Sequence, residues 1–301
     1  MKRKLVKQGV NALTVSLPAK WVKKNNLKAG EEIDVEEKKE GLVLRSSSFG
    51  IEPIKVNVNV SGPSKLIRRY IGNLYRKGYD EMRFEFDNPS YIKEIQKHII
   101  GFLGLEITQQ GSNYCVVRNV ASVKDEEFDN MMNRMFLLTL TMGEDLLEGI
   151  KEEDFDKISN ISILELTHNK LFNFCLRIIN RPTFRGNVYF TGMLLIRLED
   201  AGDRYRDIAE YIIATKHIKL SKPLISLLEE ANKKLKKVYE LYSKFDGSKA
   251  VHIQDKKKEL TDKALQLLEN VSEKEVRIAH ILSNLIDDVY EAASPIFGLH
   301  L

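Results

Sequence analysis

From about Val123 to Leu301 the sequence carries helical periodicity almost without interruption, which restricts more than half of the chain to an all-α architecture. Phe128, Met131, Met132, Met135, Phe136, Leu138 and Met142 form one broad apolar face. A second helix is expected from Ile158 to Ile179, after the acidic link Glu152-Glu153-Asp154 and before the break at Arg181-Pro182. A third runs from about Tyr189 to Lys216. Ser221-Lys222-Pro223 opens a fourth, with Leu224, Leu227, Leu228, Ala231 and Leu235 on its apolar side. After the loop Phe245-Asp246-Gly247-Ser248, helices are expected from about Ala250 to Asn270 and from Ser272 to about Ile296. The last starts with the capping-box pattern Ser272-Glu273-Lys274-Glu275. Six helices of similar length divide into two three-helix units, 122–218 and 219–301. Leu198-Glu199-Asp200-Ala201-Gly202-Asp203, running to Ile208-Ala209-Glu210, lies 84 residues before Leu282-Ser283-Asn284-Leu285-Ile286-Asp287, running to Ala292-Ala293.

The N-terminal segment, 1–50, has a different character. Met1 to Lys28 holds eight Lys/Arg residues (Lys2, Arg3, Lys4, Lys7, Lys20, Lys23, Lys24 and Lys28) and no acidic residue, the first being Glu31. The formal net charge of the whole chain is only +4, so the distribution carries the information. A stretch this basic attracts polyanions through counterion release. Lys4–Lys7 is β-like, Gly9 suits a turn, and Ala12–Leu17 alternates as a second strand. Pro18 suits the first turn of a short helix whose apolar stripe is Ala19, Trp21, Val22 and Leu27. Ile33–Glu36 and Leu42–Leu44 then flank a turn at Gly41. A β-β-α-β-β unit of under fifty residues buries too little apolar surface to stand alone, and intertwined dimerisation is the usual remedy. From these residues alone, a dimerisation module without DNA contact stays open.

The run Gly9-x-Asn11-x-Leu13-Thr14-Val15-Ser16-Leu17-Pro18-x-Lys20-Trp21-Val22, continued by Leu27-x-x-Gly30-Glu31-x-Ile33, closely resembles the AbrB/SpoVT swapped-hairpin domain. That family binds DNA as a homodimer whose chains exchange hairpins. The resemblance implies DNA contact through Lys2, Arg3, Lys4, Lys7, Asn11, Lys20, Lys23 and Lys24, mostly to phosphates, which sets affinity rather than sequence choice.

Segment 51–121 reads as a small α/β sandwich. Lys55–Val60 alternates as a strand, and Ser61-Gly62-Pro63-Ser64 opens a helix bearing Leu66, Ile67, Tyr70, Ile71, Leu74 and Tyr75, which ends at Gly78. Met82–Phe86 is a strand, and Asp87-Asn88-Pro89-Ser90 opens a helix with Ile92, Ile95, Ile99, Phe102 and Leu103. Leu105–Ile107 and Tyr114–Val117 close the β-α-β-α-β-β order. A spacer, a dimer contact and a ligand module are equally compatible with it.

Glu199-x-x-x-Asp203 with Ile208-Ala209-Glu210 resembles the signature of PhoU-type phosphate regulators, and the helical half then reads as two PhoU-like repeats. The pairing of an AbrB-like domain with such repeats resembles an archaeal-type arrangement. Glu199 and Asp203 leave one helix face a turn apart, where like charges repel unless a cation lies between them. The resemblance implies a divalent or ferric metal (Fe, Zn or Mg) on Glu199, Asp203 and, in the second repeat, Asp287. That second copy has Ser283 where the signature has Glu, with Asp288 adjacent to Asp287. Glu165 with Asn169 and Asp255 with Glu259 supply further i,i+4 polar pairs. The competing reading of Glu199/Asp203 is a solvated acidic face balanced by Arg197, Arg204 and Arg206. His168 and His280 have ligand chemistry, but a lone helical His is more often hydrogen-bonded or on the surface.

No GxSxG, P-loop, GxGxxG, HExxH or Cys/His nucleophile pattern occurs, so no enzyme is expected. Cys115 and Cys175 are isolated, which suits a reducing cytosol. No run approaches the roughly 18–20 apolar residues of a membrane span, and no apolar h-region follows the charged start, so a cytoplasmic location is expected. The sequence thus predicts a multidomain α+β chain: a swapped-hairpin β domain, an α/β sandwich and an all-α bundle. The expected function is a homodimeric DNA-binding regulator of phosphate uptake. The alternative is a non-DNA-binding adaptor that docks on a phosphate transporter or sensor kinase.

Overall fold

In the computed structural model the described residues are 2–9, 12–38, 41–46, 53–60, 65–121, 127–216, 218–248, 253 and 257–301. The chain divides into two units, Met1–Pro53 and Ile54–Leu301.

The N-terminal unit consists of two antiparallel hairpins and a short helix. β1 (Leu5–Gln8) pairs with β2 (Ala12–Val15), and Gly9 takes the left-handed backbone needed at the turn, at φ 77°. Pro18 precedes α1 (Ala19–Lys24), and β3 (Ile33–Lys38) pairs with β4 (Gly41–Ser46). The register puts Leu5, Leu13 and Val15 on one face of the first hairpin. It puts Ile33, Val35, Leu42 and Leu44 on one face of the second. Among the described residues of this unit none is buried, so neither apolar face has a core within the protomer.

The second unit opens with a four-stranded mixed sheet, order β5-β6-β8-β7. Its elements are β5 (Lys55–Val60), α2 (Lys65–Arg76), β6 (Glu81–Phe86), α3 (Tyr91–Ile99), β7 (Leu105–Gln110) and β8 (Tyr114–Asn119). Gly78, at φ 87°, ends α2 as the glycine at that position predicts. The helices bury Ile67, Ile71, Tyr75, Ile95 and Ile99 in one cluster with Val58, Val60, Met82, Phe84, Phe86, Cys115 and Val117 of the sheet.

The remainder is helical: α4 (Phe128–Glu152), α5 (Phe155–Ile179), α6 (Val188–Ala214), α7 (Lys222–Ser243), α8 (Lys257–Asn270), α9 (Glu273–Glu291) and α10 (Ala293–His300). Glu153 at φ 56° closes α4, and the Asp154 side chain caps α5 by accepting from Lys157 N–H, so a tight link makes the two antiparallel. Asn187 caps α6 in the same way through Phe190 N–H. Glu275 accepts from the Ser272 N–H and hydroxyl, which anchors the start of α9. The expected last helix, Ser272 to Ile296, is two helices rather than one. The chain breaks at Ala292, since Pro295 has no N–H for a continuous ladder and sits instead in the first turn of α10. The third helix stops at Ala214, not Lys216, which takes φ 56°. The start expected at Ala250, and Asp255, lie outside the described residues.

The two helix sets, α4–α6 and α7–α10, share one core. α9 packs on α6 and α7, and α7 packs on α4. Tyr205 on α6 donates to Asn232 Oδ1 on α7 at 2.8 Å, and Asn232 Nδ2 donates to Gly143 O on α4 at 2.7 Å. A Cβ at Gly143 would lie 2.8 Å from both polar groups, so the glycine is what admits them.

The α/β layer is fixed to the bundle through α5. Arg177, 2% exposed, donates to Tyr79 O at 2.6 Å, to Tyr75 O at 3.3 Å and to the Asp80 carboxylate. Arg181 reaches the same carboxylate at 3.3 Å, and Asp80 Oδ2 accepts from the N–H of Ile54, the first residue of this unit. Arg76 Nε donates to Asn173 Oδ1 at 2.7 Å, with its guanidinium over the Phe172 ring.

Candidate functional sites: a basic hairpin unit and a carboxylate-arginine face

Lys2, Arg3 and Lys4 precede β1 and are exposed, as are Lys7 on β1 and Lys20 and Lys23 on α1. Lys24 closes α1, its side chain outside the description, and Asn11 lies outside the described residues. Lys7 stands opposite Leu13, on the face that also carries Leu5 and Val15. Leu5, Val6, Leu13, Val15, Val35 and Leu42 are between 46% and 67% exposed. Cations and unburied apolar residues thus occur together on the hairpins.

On α6, the Glu199–Asp203 spacing places both carboxylates on one face, but Asp203 meets an arginine. Arg206 Nη1 lies 2.6 Å from Asp203 Oδ1 and 2.6 Å from Glu165 Oε1 of α5, and Nη2 lies 2.8 Å from Asp207 Oδ1. Asn169 also donates to Glu165. Desolvation raises the Glu165 carboxyl above its usual range, opposed by Arg206. Glu199 is pushed up to about 7 by burial and by the neighbouring charges of Asp203 and Asp200, against the pull of Arg76 and Arg206.

In the second repeat it is Asp288 rather than Asp287 that turns inward. Asp288 takes Arg197 Nη1 at 3.2 Å and Arg204 Nε at 3.3 Å, both from α6. Asp287 has no ion pair among the described residues. Glu199, Asp203 and Asp287 are not brought together, and the described residues contain no group of three or more His, Cys, Asp or Glu side chains placed to hold a metal ion. Guanidinium groups pair with Asp203, Glu165 and Asp288, which is not the open ligand set that an ion needs.

His168 is buried, and its Nε2 lies 2.9 Å from Thr139 Oγ1. Thr139 donates its own proton to Met135 O, so the histidine donates from Nε2. Burial lowers its pKa to about 4. A Cβ on Gly202 would fall 2.9 Å from the His168 ring, so the glycine beside Asp203 is a packing requirement. His280 is exposed, 3.4 Å from Asn284. Arg206 and Asp288, both named in the reading of the acidic motif, carry the pairing, as in its competing version of an acidic face balanced by arginines. Their signal was the i,i+3 placement of Arg206 after Asp203 and the alignment of Asp288 with Arg204 across the repeat.

The sites define a chain with a small basic β unit ahead of a helical bundle. Residues 6–52 match the family model described as antidote-toxin recognition MazE, bacterial antitoxin, which bears out the hairpin-domain resemblance for the N-terminal unit. A solved structure similar to this chain is that of the phosphate transport system regulatory protein PhoU from Streptococcus pneumoniae. It has 15% identity and a TM-score of 0.48, covering 58% of this chain and 94% of that one. No curated protein matches the chain. Among the described residues no helix is long and apolar enough to cross a membrane.

Proposed function

We propose that the chain is a homodimeric DNA-binding regulator of phosphate uptake, in which the N-terminal units pair on a duplex and the helical unit reports phosphate status through a partner protein or a metal. The observation that carries the reading is the N-terminal unit itself. It has eight cations and no acid through Lys28, and no buried residue among those described. Fully burying a Val or Leu side chain is worth about 1.5–3 kcal/mol, so pairing with a second copy is strongly favoured. The cations then double in number on one assembly, the electrostatic footprint of a duplex binder. The phosphate connection rests on the resemblance of the Glu199–Glu210 signature.

Light scattering on the full chain should return a dimer, and anisotropy against the upstream region of its own operon should report binding that weakens steeply with salt. Lys2→Ala/Arg3→Ala/Lys4→Ala should weaken it at every salt concentration. A dimer that ignores the duplex at low salt overturns the DNA reading and leaves the adaptor role, for which Ile163 and Leu166, 62% and 61% exposed on α5, offer an apolar contact. Elemental analysis tests the metal. Binding there requires Arg206 to release Asp203 and Glu165, so Glu199→Ala and Asp203→Ala should abolish any stoichiometric metal. Sub-stoichiometric metal that both variants leave unchanged removes the metal from the scheme.

A further inference from the structure

The α/β layer has two faces of different charge. Helices α2 and α3 carry Lys65, Arg68, Arg69, Arg76, Lys93 and Lys97 against one acid, Glu94, and Lys77 follows directly after α2. The four strands carry Lys55, Arg83 and Arg118 against Glu81, Glu85 and Glu106. Most strand charges are paired: Lys55 and Arg118 both meet Glu81 across the sheet, at 3.6 and 2.7 Å, and Arg83 meets Glu85 along β6 at 3.0 Å. On the helical face, Glu94 lies 3.6 Å from His98. Burial shifts that imidazole toward its uncharged form, so this acid is the one anion of the two helices, and Arg76 is turned into the α5 seam. Arg68, Arg69, Lys77, Lys93 and Lys97 are exposed and have no ion-pair partner among the described residues. Tyr70 stands among them, 40% exposed.

Five unneutralised cations on one helical layer, beside a charge-balanced sheet, make a surface for a polyanion. Cations already engaged by carboxylates release few counterions on binding, whereas these five have no such competitor. We propose that this face of α2 and α3 is a second DNA-backbone contact, engaging phosphates of the same duplex held by the N-terminal dimer. The proposal rests on the DNA-binding reading above. Two things favour a duplex over other anionic partners. The face is charged rather than apolar, and it is tethered: α2 begins twelve residues after Pro53, so a bound hairpin unit holds it at high effective concentration near the phosphates. Contacts of this kind add affinity and salt dependence without sequence choice.

The test measures the slope of log K against log salt for the full chain on a duplex longer than the hairpin dimer's footprint. Arg68→Gln/Arg69→Gln/Lys97→Gln should lower the slope by about 2 to 3 for each protomer whose face is engaged, at about 0.9 per lost phosphate contact. Lys55→Gln/Arg118→Gln, on the balanced face, should leave it unchanged. All five positions lie at the surface, and the thermal melt of each variant confirms folding. An unchanged slope in the triple variant, with wild-type binding intact, overturns this inference alone. Equal losses in both variants overturn it too, since net charge then explains them. Failure of the wild-type chain to bind at low salt instead removes the DNA reading beneath it. Wild-type binding to phosphatidylglycerol vesicles, lost in the triple variant while the DNA slope is unchanged, reassigns the face to a lipid surface.

Discussion

Replacing Arg177 with Met tests the claim that one buried guanidinium holds the α/β layer on the bundle. Methionine keeps much of the length and apolar stem but removes every donor. The Tyr79 carbonyl loses the 2.6 Å bond that Arg177 supplies, and Asp80 loses the less exposed of its two arginine partners. The Tyr75 carbonyl keeps the Gly78 N–H at 2.9 Å, so its loss is small. An unpaired buried carbonyl costs about 1–3 kcal/mol. Breaking a buried ion pair from one side costs about 3–5 kcal/mol. Asp80 retains Arg181 and the Ile54 N–H, so its own loss falls below that range, and with the carbonyl the total is about 3 kcal/mol. The assay is urea unfolding combined with native-state amide exchange of Ile54 and Asp80, whose backbones are tied through this node. Protection there should fall about 100-fold, the exchange equivalent of that energy. Asp80→Asn paired with Arg177→Met should show strong non-additivity. A loss under about 1 kcal/mol, or simple additivity, would refute the view that this pair anchors the layer.

Three further outcomes follow from the bundle. His168 has a folded pKa of about 4, below the ordinary value of 6.5, so the unfolded chain takes up a proton first as pH falls. The His168 contribution to stability should therefore drop by about 3 kcal/mol between pH 6.5 and 4. It is opposed by Glu199, whose raised pKa of about 7 favours the folded state as pH falls, and urea titrations of His168→Gln should lack the His168 component alone. Gly202→Ala gains helix propensity of up to about 1 kcal/mol but forces a methyl against the His168 ring. A net loss of about 1–2 kcal/mol in chemical unfolding is expected, and a gain would show that the ring moves freely. Asp288→Arg should destabilise strongly, and adding Arg204→Asp should recover only part of the loss, because Arg197 also faces position 288. Calorimetry of the single and double variants measures this.

The helical half was readable because its signals agree with one another. Apolar spacing, the Arg181-Pro182 break and the Ser272–Glu275 pair all place helix ends where the chain turns, while the caps at Asp154 and Asn187 emerged only in the structure. The break at Ala292 escaped because a proline in the first turn of a new helix and a proline kink look alike over so short a span. In the N-terminal unit, alternation located the strands, while the absence of a core was legible only as a consequence of size. The acidic motif was legible as chemistry but not as geometry. Four-residue spacing aligns Glu199 with Asp203, yet which cation answers them depends on α5 and α6 meeting at Glu165 and Arg206, a tertiary fact. The node at Arg177 had no local signal, because its partners lie 97 to 102 residues away.

Arg204 and Asp288 are hydrogen-bonded, and they are 84 residues apart, the same offset that relates the two halves of the bundle. At a position that contacts its own repeat-equivalent, a symmetric pair of identical units would set a residue against itself. Here that central position is Arg in one half and Asp in the other. First half against first half, from two chains, would bring arginine onto arginine, and second against second would bring aspartate onto aspartate. Only first against second is neutral. The charge difference at this one position therefore favours each chain closing on itself, and it directs any joining of copies away from the bundle's own seam and toward the hairpins.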